Sequence, residues 1–243
     1  MDGPGVVPQL GGRDVRLGIL LPTFTATAGP ALELAERAAA AGLDGVFAYD
    51  HLWPMGSPTR PALAPGPILA AVAGRLPLVV GPLVARIGLG SPDHLVRWFE
   101  TLGEIAPRGV IAALGTGDRL SAAENRAYGL TLDDAVTRRE QLREVATRLR
   151  PSFEVWIGGG AAATNAIARA VGATLNVWNA TAEQVAAAAK DGPVSWAGVA
   201  GEAAQIGPRL DALAGAGATW AVLSATADLD AVARWIKGPA ATQ

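Results

Sequence analysis

Residues Val15–Tyr49, VRLGILLPTFTATAGPALELAERAAAAGLDGVFAY, decide the fold. The stretch opens with the apolar run Val15–Leu21, ended by Pro22. A continuous apolar run of this kind, in place of an alternating one, marks a strand covered on both faces, as in a parallel sheet. Gly29–Ala41 is rich in Ala and Leu and predicts a helix, closed by Gly42 at the C-cap position that glycine favours. Gly45–Tyr49 is a second apolar run. Strand, helix and strand in this order form the repeating unit of a parallel α/β sheet.

The same unit recurs along the chain. A weak helix near Pro65–Gly74 precedes a strand at Leu78–Val84; a helix over Asp93–Ile105, with Pro92 just ahead, precedes one at Val110–Leu114. A polar excursion, residues 115–130, leads to a helix over Leu132–Arg150. Its Asp133 and Asp134 lie near the positive end of the dipole and Arg148 and Arg150 near the negative end. Then come strand Glu154–Ile157, helix Ala162–Val171, strand Thr174–Val177 and a helix from the cap Thr181 to Lys190. A strand near Val194–Val199, made irregular by Pro193 and Trp196, is followed by helix Ala203–Ala216, strand Trp220–Leu223 and helix Asp228–Lys237. Eight strands, each with its helix, predict an α/β fold of the (β/α)8 TIM-barrel type. The 243 residues match the roughly 250 of one such domain. One domain over residues 1–243 is expected, with a flexible tail at residues 1–14. A doubly wound sheet is the competing fold, but no Gly-x-Gly-x-x-Gly fingerprint follows the first strand at Gly18–Phe24.

Half of the residues are hydrophobic and 17% are charged, which suits apolar helices wrapped on an apolar sheet. The net charge is −2 with scattered Lys and Arg, so no nucleic-acid footprint is present. The chain has no Cys, which excludes disulfides, thiolate nucleophiles and Cys-ligated metals together. No metal-ligand spacing and no Gly-x-Ser-x-Gly elbow occur. Met1–Arg16 does not read as a signal peptide, and the apolar runs fall short of the ~20 residues of a membrane helix. A soluble, cytoplasmic protein without a membrane partner is expected. Ala, Gly, Pro and Arg are abundant, as in GC-rich genomes.

In such a barrel, function resides on the loops that follow the strands. His51, one of two histidines, follows the second predicted strand and offers a proton donor or acceptor near neutral pH. It also fits a residue that merely hydrogen-bonds a neighbouring loop. Asp50 beside it either polarises His51 or binds the barrel rim. His94, at a helix start, reads as a surface or capping residue. Gly158-Gly159-Gly160 and Ala161 precede a helix carrying Thr164 and Asn165; open N–H groups there fit a phosphate. A plain turn of small residues is the alternative. Thr116 and Gly117, within Gly115-Thr116-Gly117, read the same way. Asp118 and Glu124 are candidate acid or base groups, or solvated loop carboxylates. Trp53 and, beyond the sixth predicted strand, Trp178 are candidate substrate contacts; Trp53 also fits a cap on the barrel.

These motifs resemble the bacterial-luciferase-like family. Ala35-Glu36-Arg37-Ala38-Ala39-Ala40-Ala41-Gly42-Leu43-Asp44-Gly45-Val46-Phe47, leading to Asp50-His51, is similar to its first-helix-to-second-strand signature. Pro92, Leu95 and Thr101-Leu102, then Leu114-Gly115-Thr116-Gly117 with Glu124 and Gly129, then Val155-Trp156-Ile157-Gly158-Gly159, follow in the family's order. The resemblance covers residues 15–180 well and the last quarter only in rhythm. It implies a barrel that binds coenzyme F420 or, alternatively, FMN at its C-terminal face. The phosphate end would lie at Gly158-Gly159-Gly160, and the ring at the third and fourth strands. Asp50-His51 and Gly115-Thr116-Gly117-Asp118 look most like the F420-dependent dehydrogenases. By that analogy His51 is a proton donor or acceptor and Asp118 its acid partner. Hydride would pass between F420 and an organic substrate. An FMN-dependent monooxygenase and a non-catalytic flavin-binding protein are the alternatives. The resemblance also implies a non-prolyl cis peptide at Leu83-Val84 behind the ring, and a homodimer. Two departures stand out: Arg108-Gly109 replaces the family's usual Gly-Arg, and the loops are short where members often carry lids.

Overall fold

A computed structural model describes residues 14–54, 56–117 and 121–238. The tail expected at residues 1–14 lies outside the described residues but for Asp14, and Asp118 lies outside them altogether. Among the described residues strand and helix alternate, except at one pair of successive strands and one pair of successive helices. The order is β1 (Arg16–Leu20), α1 (Gly29–Ala41), β2 (Gly45–Ala48), α2 (Pro65–Ala73), β3 (Val79–Pro82), β4 (Ala85–Arg86), α3 (Pro92–Ile105), β5 (Ile111–Gly115) and α4 (Ser121–Ala127). There follow α5 (Ala135–Leu149), β6 (Glu154–Gly158), α6 (Ala162–Val171), β7 (Thr174–Trp178), α7 (Ala182–Ala189), β8 (Val194–Gly198), α8 (Ala203–Gly215), β9 (Ala218–Leu223) and α9 (Leu229–Lys237).

All strand pairs are parallel, in the order β3-β2-β1-β9-β8-β7-β6-β5-β4. A parallel bridge between Val80 and Val110 brings the two ends of this sheet together. β3 and β4 are therefore two pieces of one stave, and the sheet is an eight-stave luciferase-like (β/α)8 barrel. The third strand, expected as one run over Leu78–Val84, is broken around Leu83-Val84, whose peptide bond is cis as the resemblance implied.

Two apolar layers hold the barrel. Between sheet and helices lies a continuous core including Leu17, Ile19, Leu34, Val80, Phe99, Leu142, Ile157 and Leu210. Inside the barrel, Leu20, Val79, Ile111 and Val222 surround three large rings. Phe47 stacks on Trp156 at 5.2 Å between centroids, and Trp220 meets both rings edge-on at 5.7 Å. Glycine on the inner face makes the room: a Cβ on Gly18 would stand 2.6 Å from the Phe47 ring. Burying aromatics of this size contributes more apolar area than aliphatic residues would.

Local signals account for most element ends. Gly42 closes α1 at φ 83°, its N–H bonded to the carbonyls of Ala38 and Ala39. α5 starts three residues later than expected because Asp134 is its N-cap, accepting from the N–H groups of Val136 and Thr137. The irregularity expected from Pro193 and Trp196 is a register shift between β8 and β9 at Val194/Ser195. The excursion at 115–130 contains a helix that the sequence did not announce, α4.

Candidate active site

The C-terminal ends of the staves gather the residues that can carry chemistry. β2 leads through Tyr49 to Asp50 and His51. Asp50 turns to the rim: its Oδ2 accepts from the Arg86 backbone N–H at 2.9 Å and pins β4 against the loop. Burial raises the Asp50 pKa, opposed by that hydrogen bond and by the Arg86 charge.

His51 is oriented from the other side. Its Nδ1 lies 3.1 Å from Glu124 Oε1, and Glu124 Oε2 accepts from the Leu52 N–H at 3.3 Å and from Arg86 Nη1 at 2.8 Å. The Glu124 and Arg86 side chains are 3% and 5% exposed, whereas His51 keeps 32%. A carboxylate paired with a guanidinium only accepts, so Nδ1 carries the proton and Nε2 is left to exchange one. The reading of Glu124 as a solvated loop carboxylate is thereby corrected. α4 turns it inward, where it forms a buried ion pair.

Leu83 and Val84 stand at the mouth. Val84 covers two glycines, since a Cβ on Gly115 or Gly158 would fall within 2.5 and 2.9 Å of its methyls. Gly115 and Gly158 thus make room for Val84. Thr116 and Gly117 are held from outside, their carbonyls accepting from Arg138 Nη1 at 2.7 and 2.9 Å. Gly117 sits at φ 65° over the Arg86 side chain.

The loop after β6 is different. Gly159, Gly160 and Ala161 are exposed, no side chain caps α6, and space is open where a Gly160 side chain would be. The Asn165 amide nitrogen faces the carbonyls of Gly159 and Ala161 at 3.1 and 3.3 Å, shaping the loop from within. Thr164 is buried beneath Gly159.

Aromatic side chains line the same rim. Tyr49 stacks on Phe24 at 5.3 Å and 7°, with His51 and Trp178 about 6.5 and 6.4 Å away. Trp178 is half exposed, and burial pushes the Tyr49 hydroxyl pKa up. Trp53 packs instead beside Tyr128 at 6.2 Å, away from this cluster of contacts. His94 belongs to the first turn of α3, its N–H bonded to the Ser91 cap. The sequence reading gave no role to Arg86, Arg138, Phe24 or Tyr49. Arg86 and Tyr49 border the loops it examined, but only the fold brings in their partners.

No protein-family profile matches the chain. A 141-residue stretch, 57% of the chain, is 30% identical to the F420-dependent glucose-6-phosphate dehydrogenase of Kineococcus radiotolerans; the match spans 40% of that protein's length. Among solved structures, an F420-dependent secondary alcohol dehydrogenase in complex with an F420–acetone adduct superposes with a TM-score of 0.74. The match is 12% identical over 92% of this chain and 97% of that one. The F420-dependent tetrahydromethanopterin reductase of Methanopyrus kandleri gives 0.70, at 11% identity over 90% and 96%. A monooxygenase from Streptomyces bottropensis gives 0.69, at 14% identity over 92% and 97%. At these identities the likeness is one of fold, and it agrees with the luciferase-like barrel described above.

Proposed function

We propose that the chain is an oxidoreductase that binds coenzyme F420 across the barrel mouth and acts on a small organic substrate. The observation that carries this reading is His51, held through Nδ1 by a buried Glu124–Arg86 pair at the C-terminal face. The 30% identity to an F420-dependent dehydrogenase favours the deazaflavin over FMN. The residues present fit the coenzyme. The exposed Gly159-Gly160-Ala161 turn and the uncapped start of α6 leave backbone N–H groups for its phosphate. Leu83 and Val84, with glycines on either side, offer a smooth apolar wall for a flat ring.

A bound coenzyme would supply the hydride-transfer chemistry, and the chain would supply its orientation and electrostatics. His51 would give or take a substrate proton at Nε2, while Glu124 would steady the charge that the imidazole gains. Asp118, which follows Gly117 in the sequence, is proposed as a second acidic group. Phe24, Tyr49 and Trp178 would contact the substrate and keep water from it. Trp53 is proposed as an outer substrate wall, and Asp50, Thr116, Gly117 and Thr164 as supports of the coenzyme loops. The resemblance further implies a homodimer, which sedimentation velocity would detect.

Titration of the purified protein with F420 and with FMN, followed by fluorescence, tests the reading. Saturable binding of F420 alone is expected. Binding of FMN alone would move the protein to the monooxygenase class, and binding of neither would end the enzyme reading.

A further inference from the structure

The strand ends nearest His51 bring rings together from opposite sides of the mouth. β2 and β7 face each other across the barrel, with three staves between them on either side. Side chains alternate along each strand. Val46 and Ala48 on β2, like Leu175 and Val177 on β7, belong to the layer beneath the helices, whereas Phe47 lies in the barrel interior. The same alternation turns Tyr49, just beyond β2, and Trp178, at the end of β7, inward. Tyr49 rests on the interior cluster that holds Phe47, Trp156 and Trp220, and its ring centre is 6.4 Å from that of Trp178. Phe24, which follows β1, stacks on Tyr49 and lies 6.3 Å from His51. A floor of rings thus closes the barrel interior beside the imidazole.

Trp178 is the member left open. It is 50% exposed, and so is Val199 just beyond β8, at 51%. A tryptophan half in water forgoes much of the free energy that burying so large a ring would gain. On a loose loop such exposure would mean little, but this turn is tied down. Asn179 takes a left-handed φ of 50°, which asparagine tolerates, and its Oδ1 accepts from the Val199 N–H at 2.9 Å. The Asn179 N–H donates to the Ala197 carbonyl at 2.8 Å, and Trp196 Nε1 donates to the Ala180 carbonyl at 2.9 Å. The chain around the indole is therefore fixed before any ligand arrives, which lowers the ordering cost of binding another flat ring there.

The polar groups set the rest of the specificity. Arg86 and Arg138, the two buried arginines, are committed to Glu124 and to the carbonyls of Thr116 and Gly117. Neither guanidinium is free to balance a phosphate or a carboxylate on a substrate. His51, anchored through Nδ1, offers Nε2 to one substrate oxygen. We infer that the substrate subsite, on the oxidoreductase reading on which this rests, takes a neutral aromatic compound bearing a carbonyl or hydroxyl beside its ring. The oxygen meets His51 Nε2, and the aryl ring lies on Trp178 above the Phe24–Tyr49 stack.

The probes are acetophenone, its saturated counterpart cyclohexyl methyl ketone and its anionic derivative 4-acetylbenzoate. Each is titrated into the native chain without coenzyme and followed by NMR. Acetophenone should bind saturably and about fivefold more tightly than either of the others, the gain expected of one aromatic pair. The chain has two histidines, His51 among these rings and His94 on α3. Bound acetophenone should move the His51 resonances and leave those of His94 in place. Trp178→Leu keeps an apolar side chain but removes the flat face, so the two ketones should then bind within about twofold of each other. Equal affinity of the native chain for the two ketones, 4-acetylbenzoate binding as tightly as acetophenone, or no saturable binding would each overturn the proposal. So would a shift confined to His94, or a preference for acetophenone that survives Trp178→Leu. None of these measurements uses the coenzyme. Loss of the ring preference with F420 still bound removes this subsite alone, whereas failure to bind either coenzyme removes the oxidoreductase reading.

Discussion

Glu124 joins the two halves of the site, holding His51 with one oxygen and Arg86 with the other. Both members of the ion pair are almost fully buried, so removing one leaves an uncompensated charge in a poor solvent. Glu124→Gln should therefore lower unfolding free energy by about 3 kcal/mol in urea denaturation and reduce turnover as His51 loses its anchor. A loss under half that size would mean that water reaches the pair. Asp50 leads to a pH prediction. Burial holds its pKa above the usual 3.8, so the folded chain keeps this proton to higher pH than the unfolded chain does. That contribution to stability is complete below 3.8 and is lost as pH rises through the raised value. Asp50→Asn cannot ionise, so its stability relative to the native chain should climb across that window. A difference between the two that stays flat with pH would contradict it. His51 and Asp50 stand out in the sequence because histidine is rare and their loop follows a clear strand. Glu124 stands there only as one candidate carboxylate, and its pairing with Arg86 does not show, because a contact across 38 residues leaves no local pattern and α4 sits inside a polar stretch.

At the scale of elements, the sequence reading succeeded where each apolar run and its helix carry their own stop signals, as in Gly42 after α1 and Thr181 before α7. It failed where a tertiary contact sets the boundary. The third stave breaks because Val84 turns to cover Gly115 and Gly158 on neighbouring staves. The glycine run after β6 also divides in a way the sequence could not reveal: Gly158 serves packing, whereas Gly159 and Gly160 are exposed. Gly160→Asp separates these roles. The position has open space and needs no left-handed backbone, so folding stability should stay within about 0.5 kcal/mol of the native value. F420 affinity should drop about tenfold, because the new carboxylate would stand beside the proposed phosphate. Unchanged affinity would place the phosphate elsewhere.

For the molecule as a whole, the barrel wall is uneven. β8 and β9 pair along five residues, whereas the third stave meets its neighbour at a bridge, Val80–Val110, just before β5, and then at Ala85–Leu114 and Arg86–Gly115. Three pairs also join β1 to β2 and β6 to β7, but here the ladder is interrupted between Val80 and Ala85, which makes local opening cheaper along that line. Under deuterium labelling the isotope should enter the wall there first, well before it reaches β8 and β9, and uniform uptake around the ring would contradict this. The same line borders the mouth where the coenzyme is proposed. A flat ring lying across it would stitch the seam, so the slowest-breathing form of this barrel would be the loaded one.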